Sequence, residues 1–220
     1  LDFIPAKESP LFIKLLRLYT WLLFKRRFSR VWLKQDYQPD GQSKTIYYLN
    51  HHSWWDGLIP LLLNEYRFRQ QARAMMEDRQ MVEHPFFQKI GAFSINREDK
   101  RHSVAALRYA LQSFERPNAS LFIYPEGTIT PAGTPMQFEG GLAWLNGKIP
   151  QVDVVPIGIY MHTIRRDKPE LHLEVGAPVQ PDTSLSTGEQ NRHFEQALER
   201  ILTNLRRKAG FDDSAFERFL

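Results

Sequence analysis

The segment Asn50-His51-His52-Ser53-Trp54-Trp55-Asp56-Gly57 sets a histidine and a carboxylate five residues apart, directly after the apolar run Ile46 to Leu49. A histidine that takes a proton and an aspartate that holds its ring are the two parts of a general base. On a regular helix five residues put the side chains about 140° apart, so they meet only if the chain bends between them, as at a strand-to-helix turn. Two other readings stay open from the segment alone. His51 or His52 caps the helix that follows, with Asp56 an ordinary helix-start residue; or His52 and Asp56, four apart, start a metal site. No third ligand stands at a sensible spacing for the latter, so no metal is expected.

Two further segments carry polar chemistry at the end of apolar runs. In Leu121-Phe122-Ile123-Tyr124-Pro125-Glu126-Gly127-Thr128 a buried strand delivers a carboxylate and a flexible backbone to a sheet's carboxyl edge, where open α/β sheets place their ligands. Taken by itself, Pro-Glu-Gly-Thr is also just a turn. In Ile90-Gly91-Ala92-Phe93-Ser94-Ile95-Asn96-Arg97, an arginine follows a short apolar stretch and offers its planar fork to a phosphate or carboxylate, unless it merely pairs with Glu98 or Asp99.

The elements that must position these residues alternate. Thr45 to Leu49, Ser120 to Tyr124, Val152 to Tyr160 and Leu171 to Val175 read as strands; Lys100 to Arg116 and Thr187 to Lys208 read as helices with one apolar face, the second stopped by Arg206-Arg207-Lys208 before Gly210. Strands interleaved with helices predict an α/β fold: a single domain with a mixed, mainly parallel sheet flanked by helices. Ahead of it, Leu11, Phe12, Leu15, Leu16, Tyr19, Leu22 and Leu23 share one helical face and run into Lys25-Arg26-Arg27-Phe28-Ser29-Arg30, with Trp21 and Trp32 nearby. That pattern suits an interfacial helix on an anionic membrane surface; a helix packed on the core is the alternative. Six basic residues between Leu11 and Leu33 argue against a spanning helix. We therefore read residues 1–40 as an amphipathic, membrane-associating helical segment and 41–220 as the catalytic domain. The first five residues lack the basic region of a signal peptide.

Composition narrows the chemistry. The 220 residues contain no cysteine, which excludes disulfides, thiolate nucleophiles, iron–sulfur clusters and cysteine zinc sites. The net charge of +4 suits a membrane surface or a phosphorylated substrate as well as nucleic acid. No Gly-x-Ser-x-Gly elbow occurs, and Gly147-Lys148 is not preceded by a phosphate-loop pattern, so serine hydrolysis and nucleotide hydrolysis are disfavoured.

Taken in order, these segments resemble the lysophospholipid acyltransferase family over roughly Thr45 to Val175. Asn50, His51 and Asp56 match its first motif, which selects His51 over His52. Gly91, Ile95 and Arg97 match the second, Phe122, Pro125, Glu126, Gly127 and Thr128 the third, and Val155, Pro156 and Ile157 the fourth. The resemblance implies His51 and Asp56 as catalytic residues, with Arg97, Glu126, Gly127 and Thr128 binding the acceptor. It implies transfer of a fatty acyl group from acyl-CoA or an acyl-carrier protein to a hydroxyl of a membrane lipid, lysophosphatidic acid before others, giving phosphatidic acid. No cofactor and no nucleic-acid partner are expected, and the protein is expected as a peripheral or monotopic one on the cytoplasmic face of a membrane. Two positions depart from the pattern of members that act on glycerol phosphates: Ile129 stands where they carry Arg, and Glu139 where they often carry Lys. Losing a cation and gaining a carboxylate weakens a phosphate site. A phosphate-free acceptor, such as a glycolipid or amino-acid lipid, is the alternative; an inactive membrane-binding module is another.

Overall fold

The structure is a computed structural model that describes residues 2–180 and 184–220. One eight-stranded sheet runs β4-β3-β5-β2-β6-β7-β1-β8. In chain order the strands are β1 (Arg30–Gln35), β2 (Lys44–Leu49), β3 (Gln71–Glu77), β4 (Ala92–Ile95), β5 (Ala119–Ile123), β6 (Val152–His162), β7 (Glu170–Val175) and β8 (Glu217–Arg218). The five from β4 to β6 are mutually parallel; β7 returns antiparallel on β6, β1 lies parallel to β7, and β8 closes the edge antiparallel to β1. The fold is thus a single mixed, mostly parallel α/β domain, as the alternating pattern predicts.

Helices cover both faces. Central β2 is buried on each side: Tyr47 and Leu49 pack with Phe122, Val155 and Ile157 under α1 (Pro10–Arg27) and α2 (Ile59–Leu63), while Ile46 and Tyr48 pack under α4 (Lys100–Ser113), α5 (Gly141–Asn146) and α6 (Thr187–Lys208). The short α3 (Asp78–Glu83) follows β3. A side-chain period of two explains why a run without polar alternation is a strand buried on both faces rather than a helix.

The expected helical segment of residues 1–40 needs correction. Helix α1 begins at Pro10, capped by Ser9 Oγ, and stops at Arg27, after which Phe28 is extended and Ser29 N–H donates to Pro169 O at 2.9 Å. Val31 and Leu33 then alternate inward along β1, a strand inside the sheet. Trp32 and Leu33 belong to that strand and not to an interfacial helix. Strand β3 carries Gln, Ala, Arg, Met and Glu, residues of high helix propensity, and only pairing between β4 and β5 makes it a strand.

Candidate active site

Strand β2 ends at Leu49, and the next residue fixes where the chain departs. The buried Asn50 amide takes a rung of the ladder with its side chain: Nδ2 donates to Ile159 O at 3.0 Å and Ile159 N–H donates to Oδ1 at 2.8 Å. The main chain is thereby released from the sheet at its carboxyl edge, and His51 stands on the turn. A 3-10 turn, Trp54–Leu58, follows and leads into α2.

Across this bend His51 Nδ1 lies 3.2 Å from Asp56 Oδ2, with the carboxylate 1% exposed and the imidazole 20% exposed. The same oxygen accepts the backbone N–H of His52 at 2.7 Å and of Ser53 at 2.8 Å, while Oδ1 accepts Ser53 Oγ at 2.7 Å. Asp56 therefore serves both readings of the sequence, as the residue that closes the helix start and as the partner of His51. With Nδ1–H directed at Asp56, Nε2 is left as the basic nitrogen. The Tyr124 ring lies 4.5 Å from that of His51, and its hydroxyl donates to Asp56 O at 2.6 Å. Burial, with Asp56 nearby, holds the Tyr124 hydroxyl well above its ordinary range, so it stays a donor.

The loop after β5 clamps this bend. Gly127 N–H donates to Tyr124 O at 2.9 Å and Gly127 has φ +70°, which closes a tight turn. Thr130 N–H donates to His51 O at 2.9 Å, Thr130 O lies 2.9 Å from His52 Nδ1, and Thr130 Oγ1 donates to Glu126 Oε1 at 3.1 Å. Glu126 is buried, and among the described residues its Oε2 has no hydrogen-bond partner. Arg97 lies across Gly127 so closely that a Cβ there would stand 2.5 Å from Nη1, and that same Nη1 is 3.6 Å from Glu139 Oε1. Thr128 and Ile129 are exposed on the outer side of the loop.

The family model described as Acyltransferase matches residues 10–160. The chain belongs to the acyltransferase family. No curated protein matches it. Among solved structures it is similar to the 1-acyl-sn-glycerophosphate (LPA) acyltransferase PlsC from Thermotoga maritima, at 20% identity and a TM-score of 0.63, covering 89% of this chain and 81% of that one. At that identity the likeness speaks to the fold.

In this acyltransferase the structure brings together His51, Asp56, Arg97, Glu126 and Gly127, the residues that the sequence picks out, with Thr128 at the rim. Sequence reasoning missed Tyr124 and Thr130. Nothing in their local sequence marks them, because both act through contacts 68 to 79 residues away along the chain. Gly127 N–H is committed to Tyr124 O and is not free to face an oxyanion, whereas N–H groups at the start of the 3-10 turn lie at the same bend as His51.

Beside the bend a crevice of about 400 Å³ runs along the sheet, from Gly57 past Leu61, Ala74, Phe87 and Phe122 to a polar end at Arg73 and Arg116. Phe87 lines it, whereas Trp54, Trp55, Leu58 and Phe86 do not. Trp54 is half exposed, Trp55 packs edge-on against Phe24 and Phe28 of the α1 end, and Leu58 is core.

Proposed function

We propose that this acyltransferase moves a fatty acyl group from an acyl-CoA or acyl-carrier-protein thioester to a hydroxyl of a membrane lipid acceptor. The observation that carries the reading is His51, partly exposed, with its ring held by the buried Asp56 at 3.2 Å on a bend whose Gly57 lines the crevice. His51 Nε2 takes the acceptor's proton as its oxygen attacks the thioester carbonyl, and Asp56 stabilises the imidazolium that forms. The new C–O bond replaces the C–S bond, and the proton passes from His51 to the departing thiolate. N–H groups at the start of the 3-10 turn face the tetrahedral oxyanion, and the crevice takes acyl chain. No acyl-enzyme is required.

Lysophosphatidic acid, giving phosphatidic acid, is the acceptor that the family resemblance puts first. The reading places the protein peripherally on the cytoplasmic face of a membrane. Among the described residues no helix is long and apolar enough to cross one, but α1 exposes Leu11, Leu15, Leu18, Tyr19 and Leu22 next to Lys25, Arg26 and Arg27.

The test is incubation of purified protein with labelled palmitoyl-CoA and total lipid, following free thiol and the mass of the product. Thiol release should match acylated lipid, and His51→Ala should abolish both while the circular-dichroism spectrum is unchanged. Thiol release that survives in His51→Ala would remove His51 as the base.

A further inference from the structure

We propose that the acceptor taken by this site presents a hydroxyl-rich, uncharged head group and no phosphate; the proposal rests on the acyl-transfer reading of the same site. The charges around the loop after β5 carry it. Arg97 is the guanidinium that reaches this loop, and it is already engaged: its flat face covers Gly127 and its Nη1 sits 3.6 Å from Glu139 Oε1. In the same loop Glu126 is 8% exposed, with one oxygen held by Thr130 and the other buried without a partner among the described residues. Asp56, a third carboxylate, is committed to the His51 ring and to the turn that carries it. A phosphate placed against Arg97 would meet Glu139, which already shares that cation, and like charges brought together are unfavourable.

Arg73 and Arg79, on β3 and α3, are engaged elsewhere. Arg73 lies at the polar end of the crevice, bonded to Glu8 at 3.0 Å and to Ser113 Oγ at 2.6 Å. Arg79 is paired with Glu98 at 3.3 Å. Ile129, exposed on the loop itself, brings none. Hydroxyl groups fit what is present. They donate to Glu139, which is 65% exposed by its side chain, and they accept from Arg97. An ammonium head group would satisfy Glu139 but would set a cation against Arg97. A polyol satisfies both side chains.

The experiment compares acceptors of one acyl chain in mixed micelles that hold a fixed fraction of anionic lipid, so that recruitment to the surface is equal. With palmitoyl-CoA as donor, the acceptors are 6-O-oleoylglucose, 1-oleoylglycerol and 1-oleoylglycerol 3-phosphate. The wild type should use an uncharged acceptor with kcat/KM about tenfold or more above that for the phosphate. Glu139→Lys should move the ratio toward the phosphate by about tenfold or more, and Glu139→Gln by less. A wild type that prefers the phosphate overturns the inference and leaves acyl transfer standing, whereas turnover of no acceptor overturns both. A ratio that neither Glu139 variant moves overturns it as well, because the preference would then not arise at this subsite.

Discussion

The four hydrogen-bond partners of the Asp56 carboxylate divide between the His51 ring and the backbone and hydroxyl of the turn that carries it. One group therefore sets both the conformation of the bend and the orientation of the His51 ring. Asp56→Asn should keep part of the turn through its remaining carbonyl oxygen yet reverse the polarity of one contact, and steady-state rates should fall about 10³-fold or more. Gly127 is the second critical residue. At φ +70° a side chain costs about 1–2 kcal/mol, and a Cβ would stand inside the Arg97 guanidinium. Gly127→Ala should raise the acceptor KM by displacing Arg97, with a smaller change in kcat; an unaltered KM would show that Arg97 does not read the acceptor.

At the scale of elements, α1 is the unusual helix. Its stripe divides: Phe12, Leu16 and Leu23 turn partly inward beside buried Thr20 and Phe24, whereas Leu11, Leu15, Tyr19 and Leu22 are more than half exposed, joined by Leu18. An apolar face left in water on a helix that already has a packed face fits a bilayer surface, with Lys25, Arg26 and Arg27 in the last turn meeting anionic head groups. Its C-terminal end lies against Trp55, next to the active-site bend. The triple change Leu15→Glu, Leu18→Glu, Leu22→Glu should abolish sedimentation with anionic vesicles and leave the thermal midpoint within a few degrees. Each fully buried leucine contributes about 1.5–3 kcal/mol to such docking. Unchanged partitioning would assign membrane contact to another surface.

Over the whole molecule, the last residues tie the far edge of the sheet. Strand β8 pairs with β1, Phe219 N–H donates to Val31 O at 2.8 Å, and Asp213 Oδ1 lies 2.8 Å from the buried His172 Nε2. The His162 ring lies tilted against that of His172 with centroids 5.1 Å apart, and it lies against Gly210. Glu170, Arg165 and Asp213 are the charged groups that face the pair. Burial is the first cause that lowers both histidines below their ordinary range, outweighing the carboxylates. The unfolded chain, with histidines near pKa 6.5, then binds more protons than the folded one as pH falls below about 6.5. Stability is full above that value and is lost toward the lower folded values. The thermal midpoint should drop between pH 7 and pH 5, and His162→Gln should flatten the slope. An equal slope in the variant would remove His162 as a source.

What the sequence determined by itself was local. An apolar run ending at Asn-His marked β2 and the histidine turn after it, because a strand buried on both faces needs no partner pattern to be recognised. The periodicity of 187–208 defined α6 to the residue. The spacing of His51 and Asp56 required a bend, and the order of the motifs pointed to the family. Tertiary structure decided the rest. It made Arg30–Gln35 and Gln71–Glu77 strands, since their residues gain more from sheet pairing than their propensities oppose. It folded Tyr124 and Thr130 onto the histidine loop, and it set Glu139 against Arg97. Such contacts join positions tens of residues apart, and no local pattern encodes a distance across a sheet edge.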